Sequence, residues 1–329
     1  MDHFIPFTGQ PASEQSSDFS SAYEDGGMFS SKGFRQPVFH RSFALQPIYT
    51  ADHGLLGLEL FYRGSQSDRF YADPDFASRT MIDNLLLFGF EELSAQCLIF
   101  INCTRDTLTS GFFSLLPSNA VIEILETVRP DAEVLAACHA LKERGYRISL
   151  DDFEDPITML PFLDLADFVK IDFRLSNTAE RQRLVRVLEG RKIIRIAEKI
   201  ETEEEFRAAV DEGYNLFQGY YLREPTTFSK VRPCPNPRHT RTLMEMLLSH
   251  KSSFGELVDC IHLEPDIEGR LLRRAAWKAP AGHPVQSISQ ALRVVGREDL
   301  KMILRLALLT MRPIHPSESD SDSAFSLGL

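Results

Sequence analysis

The sequence predicts an α/β protein, a (β/α)8 barrel with one antiparallel strand, followed by a small all-α helical domain. Eight short runs of apolar, β-branched or aromatic residues recur at intervals typical of strands. In chain order they are SFALQPIY, LLGLELFY, CLIFIN, AVIEIL, YRISLDD, DFVKID, IIRIAEK and NLFQGYY. From the third run onward, segments with helical spacing separate them, and alternating strands and helices form a mostly parallel sheet. Eight such strands indicate a closed, TIM-like barrel.

The first two runs are joined by a very short connection, TADHG. A parallel crossover needs about a dozen residues or more, so these two strands are predicted to form an antiparallel hairpin. Two of the later helices carry recognisable boundaries. Asp131 and Thr202 are predicted N-caps, and Gly145 and Gly213 are predicted C-terminal stops.

Composition divides the chain into a folded centre and polar ends. Both ends are rich in Ser and Asp and poor in periodic apolar residues, which is typical of disorder. A proline-rich stretch, RPCPNP, separates the barrel from the helical part. The predicted boundaries are 1–38 for a disordered extension, 39–230 for the barrel, 231–240 for the linker, 241–313 for the helices and 314–329 for a disordered tail.

Charge and cysteine content narrow the class of protein. The net charge of −11 argues against nucleic acid or an anionic membrane as a partner. The five cysteines are scattered and lack CxxC spacing, which indicates reduced thiols and neither a disulfide framework nor a cysteine zinc site. The chain shows no leader pattern and no apolar run of about 20 residues, so we expect a cytoplasmic protein.

In seven of the eight runs a polar residue lies at or near the C-terminal end. These residues are Glu59, Asn102, Glu123, Asp151 with Asp152, Lys170, Glu198 and Gln218. A single carboxylate at a strand end is more commonly a helix cap or a solvated turn residue. In a barrel, however, all strand C-termini converge on the face that carries the active site. Five carboxylates gathered there need cations, and oxygen donors suit Mg²⁺, Mn²⁺ or Ca²⁺. The sequence therefore predicts a metal-dependent phosphoester site.

The same runs resemble the EAL domain family, whose members bind and usually hydrolyse the bacterial second messenger cyclic di-GMP. The resemblance extends over about residues 42–226 and rests on eight short motifs in the family's order. They are FALQPIY with LELFYRG, FINCT, IEILE, SLDDF, VKID, IAEKIET and FQGYYLREP.

The resemblance implies roles for individual residues. The metal ligands would be Glu59, Asn102, Glu123, Asp151 and Asp152, holding one or two Mg²⁺ or Mn²⁺ ions. The catalytic residues would be Glu198, Lys170 and Asp152, and the substrate-binding residues would be Arg63, Gln46 and Gln218. Glu126 would brace the loop after the acidic pair. The implied reaction is hydrolysis of one phosphodiester bond of cyclic di-GMP to give linear pGpG.

Two departures from the family pattern bear on this prediction. Leu60 and Phe61 stand where the family motif has alanine and leucine. After the acidic pair the chain reads DDFEDPITML where active members typically read DDFGTGYSSL, so the glycines and serines are absent. In the family this loop connects metal binding, dimerisation and activity. A homodimer is therefore possible, and the loop bears on whether the chain turns over its substrate.

The C-terminal segments have helical apolar spacing and resemble a truncated HDOD domain, a module found together with EAL domains. Its histidines His239, His250, His262 and His283 lack metal-ligand spacing. A basic helix face, GRLLRRAAWK, is more commonly solvated or directed at a protein partner than at nucleic acid. Four functions stay open: a cyclic di-GMP phosphodiesterase, an inactive cyclic di-GMP receptor that signals through these helices, an interaction protein whose barrel no longer binds nucleotide, and a different metal-dependent phosphoesterase.

Overall fold

The computed structural model describes residues 38–63, 73–88, 97–233, 236–249, 252–280 and 282–311. The predicted disordered extension and tail lie outside these residues, apart from Val38, which begins the first strand.

The predicted barrel is confirmed, with each of the eight apolar runs supplying one strand. The strands are β1 Val38–Thr50, β2 Leu55–Arg63, β3 Leu98–Cys103, β4 Ala120–Ile124, β5 Arg147–Leu150, β6 Phe168–Asp172, β7 Ile194–Glu198 and β8 Leu216–Phe217. Strands β2 to β8 are parallel in chain order, and β1 closes the barrel by pairing antiparallel with both β2 and β8. The reversed strand is thus the first one, as the short connection predicts.

The hairpin between β1 and β2 places two site residues side by side. The turn is closed by hydrogen bonds from the Thr50 amide to the Gly54 carbonyl (2.9 Å) and from the His53 amide to the Thr50 carbonyl (3.0 Å). In the register that results, Gln46 lies opposite Glu59. Because β1 runs in the reverse direction, a residue near its middle reaches the end of the barrel where the parallel strands terminate.

A ninth strand follows the barrel. β9, Thr226–Pro233, pairs antiparallel with the first part of β1, from Val38 to Leu45. The segment 231–240, predicted as a linker, is therefore strand up to Pro233 and helix from Pro237. The strand forms because β1 begins four residues before the predicted run, and its extended edge needs hydrogen-bond partners.

Helices follow the strands around the barrel. They are α1 Pro74–Phe88, α2 Arg105–Thr109, α3 Ala132–Glu143, α4 Pro156–Leu163, α5 Thr178–Leu188 and α6 Glu203–Asp211. The predicted caps are confirmed, since Asp131 accepts from the amides of Glu133 and Val134, and Thr202 accepts from that of Glu205. Gly145 and Gly213 both adopt φ of +85°, the left-handed conformation that ends a helix.

Four further helices complete the described chain: α7 Pro237–Ser249, α8 Phe254–His262, α9 Pro265–Lys278 and α10 Ile288–Thr310. Gly296, at φ of +82°, bends α10. These helices form one compact unit with the barrel, and α9 and α10 pack on α1. Within the described ranges, every helix is too short or too polar to cross a membrane.

A buried ionic cluster joins the barrel to these helices. The fully buried Asp83 of α1 accepts from Arg270 of α9 at 2.7 and 3.0 Å and from Arg41 of β1 at 3.1 Å. The hydroxyl of Thr310, at the end of α10, donates to the same carboxylate at 2.7 Å. Three elements distant in sequence thus share one anion, and removing that anion would leave two guanidinium groups buried without it.

We predict that Asp83→Asn lowers the free energy of unfolding by about 3–5 kcal/mol, because it breaks a buried ion pair and leaves the other partner's charge in the interior. Urea denaturation followed by circular dichroism measures the loss. The matched control is Asp106→Asn, which removes the 45% exposed partner of Arg79 and should cost about 1 kcal/mol or less. Equal losses for the two variants would contradict the role given to the cluster.

Candidate active site

A cavity of about 430 Å³ opens at the end of the barrel where the parallel strands terminate. Its lining residues are Gln46, Glu59, Phe61, Arg63, Asn102, Asp151, Asp152, Lys170, Glu198, Lys199, Glu201, Gln218, Gly219, Tyr220 and Pro225. Most of the residues predicted from the strand ends therefore meet in one place. Glu123 lies just beneath the cavity floor and is fully buried, whereas Glu126 is exposed.

Lys170 occupies the centre of the carboxylate cluster. Its ammonium lies 2.9 Å from Glu59, 3.1 Å from Asp151 and 2.7 Å from Glu198. It also forms a close ion pair with Glu123. The lysine side chain is 1% exposed, so these four carboxylates replace the water that would otherwise solvate it.

Two amide side chains hold Glu59 in place. Asn102 donates to one oxygen of Glu59 at 3.0 Å, and Gln218 donates to the other at 2.8 Å. Gln218 also donates to Gln46 at 3.1 Å, which fixes both glutamines. Because an amide that donates through its nitrogen directs its oxygen elsewhere, the oxygens of Asn102 and Gln218 stay available as acceptors.

If all its acids were ionised, the cluster would carry more negative charge than one ammonium neutralises. Burial raises the pKa of Glu123 well above its ordinary value, and the neighbouring Glu59 adds to the rise. Burial likewise raises the pKa of Glu198 to about 8, against the opposing effect of Lys170. Burial lowers the pKa of Lys170, but its four carboxylates, Asp151 first, outweigh this and leave it well above its ordinary value. Lys170 is therefore charged at neutral pH.

Unused oxygen atoms in the cluster suit a divalent cation. One oxygen of Glu123 is paired with the Lys170 ammonium alone, and its other oxygen and the side-chain oxygens of Asn102 and Gln218 are buried without a donor. Buried acceptors without donors are costly and are normally satisfied. Carboxylate and amide oxygens are the donors that Mg²⁺ and Mn²⁺ prefer, so the residues present fit such an ion.

The acidic pair sits in a strained turn after β5. Asp152 has φ of +39°, in the left-handed region that side chains rarely adopt. The turn is held on both sides, by the Asp151 amide donating to the Ile124 carbonyl and the Phe153 amide donating to the Lys170 carbonyl, each at 2.9 Å. Burial, and then the adjacent Asp151, raise the pKa of Asp152 to about 6. Strain of this kind collects at functional sites.

Glu126 lies beside the acidic pair. One carboxylate oxygen from each of Glu126, Asp151 and Asp152 falls within 4.8 Å of the others. The bracing role predicted for Glu126 stays a prediction. The altered loop itself is short, because Asp155 caps α4 through the amides of Ile157 and Thr158, so the helix begins at once.

The predicted substrate-binding residues lie around the cavity. Arg63 is exposed at the end of β2, where its guanidinium is accessible from solvent. Gln46 and Gln218 are buried and bonded to each other. Sequence reasoning missed Lys199, Glu201 and Tyr220, which also line the cavity. Lys199 follows Glu198 directly, so its position at a strand end was the available signal, but a charged residue there ordinarily extends into solvent.

The sequence profile of the EAL domain matches residues 38–225, which is more than half of the chain. The chain therefore belongs to the EAL domain family, as the motifs predict. The match covers the closed barrel, including every residue assigned to the site.

Two known proteins are similar over most of this chain. One is the uncharacterized protein YuxH of Bacillus subtilis, 28% identical over 267 residues, which are 78% of this chain. The other is the cyclic di-GMP phosphodiesterase CdgJ of Vibrio cholerae, 28% identical over 282 residues, which are 84% of this chain. The matched part is 65% of the length of either relative.

Solved structures resemble the barrel at lower identity. An EAL domain protein from Listeria monocytogenes is 21% identical with a TM-score of 0.47, over 56% of this chain and 88% of its own. The calcium and cyclic di-GMP complex of BlrP1 from Klebsiella pneumoniae is 20% identical with a TM-score of 0.46, over 59% of each chain.

We predict that the metal-free protein loses stability as pH rises from about 4.5 towards about 8. In this window the unfolded chain has released the proton of Glu198 and the folded chain, whose pKa is about 8, still holds it. Thermal unfolding in a chelator at several pH values measures the slope. Glu198→Gln should flatten it, and the exposed control Glu189→Gln should not; a slope unaffected by Glu198→Gln would contradict the assignment.

Proposed function

We propose that this chain is a metal-dependent phosphodiesterase that hydrolyses cyclic di-GMP to linear pGpG. The observation that carries the proposal is the convergence of four carboxylates on Lys170 beneath an open cavity, with buried oxygens still lacking donors. Membership of the EAL family and the name of the Vibrio relative support the substrate. Because the chain spans only part of that relative, the substrate is a proposal for this chain.

The metal ligands would be Glu59, Asn102, Glu123 and Asp151, with Asp152 beside them. A bound Mg²⁺ or Mn²⁺ would supply an activated water and neutralise charge on the phosphate. The chain's own contribution is to hold the ligand oxygens in place before the ion arrives. The two amides that bond Glu59 and the ammonium that touches all four acids perform this task.

Lys170 would supply positive charge to the reacting phosphate, and Glu198 would accept a proton from the attacking water. The ammonium of Lys170, charged because of its raised pKa, offsets the negative charge that develops on the phosphate in the transition state. A carboxylate whose pKa is about 8 in the metal-free chain is basic enough to accept a proton from water, once the charge of a bound cation has displaced the proton that it holds near neutral pH. Glu198 would therefore act as the general base, with Lys170 at 2.7 Å to stabilise its charged form.

The substrate would enter through the open side of the cavity. Arg63 at the rim would bind a phosphate, since a guanidinium donates two parallel hydrogen bonds to such a group. Gln46 and Gln218, whose side chains are hydrogen-bonded to each other, would support the side of the ligand cluster that faces the substrate. The thiols of Cys103 and Cys138, which form no disulfide, suit a reducing compartment, and we place the protein in the cytoplasm.

A catalytically silent cyclic di-GMP receptor is the second candidate. The observation in its favour is the loop after Asp152, which enters α4 immediately and lacks the residues typical of active members. Such a receptor would keep the nucleotide pocket and signal through the C-terminal helices that pack on α1. A homodimer and a protein partner for these helices stay predictions.

The direct test is incubation of the purified chain with cyclic di-GMP and Mg²⁺ or Mn²⁺, with products separated by chromatography. We expect pGpG, and we expect Asp151→Asn to lower kcat/KM by at least about 100-fold, since even the hydrogen-bond partners of metal ligands are worth about 10- to 100-fold. Asp211→Asn, at the C-terminal end of α6 and outside the cavity lining, is the matched control. Binding of cyclic di-GMP without formation of pGpG would contradict the phosphodiesterase and favour the silent receptor.

Metal binding has an independent readout in stability. We predict that Mn²⁺ at about 100 times its Kd raises the free energy of unfolding by about 2.7 kcal/mol, because the ion binds the folded chain. Glu123→Gln and Asn102→Ala should each abolish most of this gain, measured as a shift in Tm. Asp211→Asn should retain it. A Tm that does not respond to Mn²⁺ or Mg²⁺ in the unsubstituted chain would contradict the metal site.

A further inference from the structure

Lys199 is a second lysine in the cavity, and its backbone is strained. It follows β7 directly, with φ of +55°, and its side chain lines the cavity while remaining 52% exposed. A residue other than glycine in this conformation costs about 1–2 kcal/mol. Lysine is not among the residues that adopt it readily, so its presence here calls for a reason that lies in the side chain.

The turn that holds Lys199 is imposed by its neighbours. The amide of Ile200 donates to the Gln218 carbonyl at 3.1 Å. A Cβ added at Gly219 would lie 2.1 Å from the Ile200 carbonyl oxygen, so the two loops are in direct backbone contact. Glycine at position 199 would satisfy this turn without strain. What glycine cannot supply is the ammonium.

The ammonium of Lys199 bridges two acids that Lys170 does not serve. It forms a close ion pair with Asp172 and lies 3.7 Å from Asp152. Asp172 is 2% exposed, and its other oxygen accepts from the amides of Arg174 and Leu175, at 2.6 and 3.1 Å, which fixes the carboxylate. Lys199 is thus anchored at Asp172 and reaches over the acidic pair.

The two lysines divide the carboxylates between them. Lys170 contacts Glu59, Glu123, Asp151 and Glu198, and Lys199 contacts Asp152 and Asp172. Six acids against two ammonium groups leave an excess of negative charge, and the buried oxygens without donors that a divalent cation would need lie on the Glu123 side. A second divalent cation would lie about 3.5–4 Å from the first, near Asp152, where Lys199 already places a positive charge.

We propose that Lys199 takes the place of a second metal ion, so that the site binds one divalent cation and uses the Lys199 ammonium as its other cation. This inference rests on the proposed function, because it assumes that the carboxylate cluster holds metal. Besides this place in the metal site, Lys199 would have a role in the reaction. Half-exposed in the cavity, its ammonium is placed to meet a phosphate oxygen of the substrate as a point charge.

The test is the number of Mn²⁺ ions bound per chain, measured by equilibrium dialysis and elemental analysis without any substrate. We expect one ion for the unsubstituted chain and two for Lys199→Gly and Lys199→Met, with the second ion bound at least about 10-fold more tightly than in the unsubstituted chain, because a like charge has been removed. Lys199→Gly also relieves the strained backbone, so it keeps the test decisive if Lys199→Met folds poorly.

Two further variants sharpen the result. Lys192→Met removes an exposed lysine before β7, at the other end of that strand, and should bind one ion. Adding Glu126→Gln to Lys199→Gly should return the count from two to one, since Glu126 lies with Asp151 and Asp152. Two ions in the unsubstituted chain, or one ion in every variant, would overturn the inference about Lys199 and leave the proposed function standing. No ion in the unsubstituted chain would overturn the proposed function with it.

Discussion

One buried ammonium determines the arrangement of the site. Lys170 contacts four carboxyl groups that arrive from four different strands or strand ends, and its shared ammonium offsets the cost of gathering them so closely. The amides of Asn102 and Gln218 then fix the orientation of Glu59. The result is a cluster assembled in advance, with oxygens left over for an ion. Preorganised charge of this kind is the largest single contribution that a protein makes to many reactions.

The contacts that support this cluster extend beyond the barrel to the C-terminal helices. The hydroxyl of Ser78 in α1 donates to the Asn102 carbonyl at 2.8 Å, and five residues further along α1 Asp83 binds Arg270 of α9. The helix that supports a site residue through Ser78 is therefore also bound to the C-terminal helices through Asp83. Because this contact is ionic and fully buried, a displacement of α9 would be resisted at α1. The C-terminal helices are part of the scaffold that positions the site.

The sequence was sufficient where structure is local or repeats. The eight apolar runs, the hairpin at TADHG and the caps at Asp131 and Thr202 follow from spacing and turn chemistry, and the converging strand ends follow from the barrel. The sequence was insufficient where a contact between residues far apart in the chain determines the structure. β9 ends among prolines and pairs only because β1 extends to meet it. Asp83 meets a partner 187 residues away, and Lys199 is turned by the close approach of Gly219. No local pattern encodes these contacts.

We propose that a divalent cation allows these carboxylates to share one site. The most direct measurement is a crystal structure of the chain grown with Mn²⁺, with the ion located by its anomalous scattering. We predict a peak about 2.0–2.3 Å from the side-chain oxygens of Glu59, Asn102, Glu123 and Asp151, with the contact between Lys170 and Glu123 lengthened. A map without such a peak, in which Lys170 still contacts all four acids, would contradict the account.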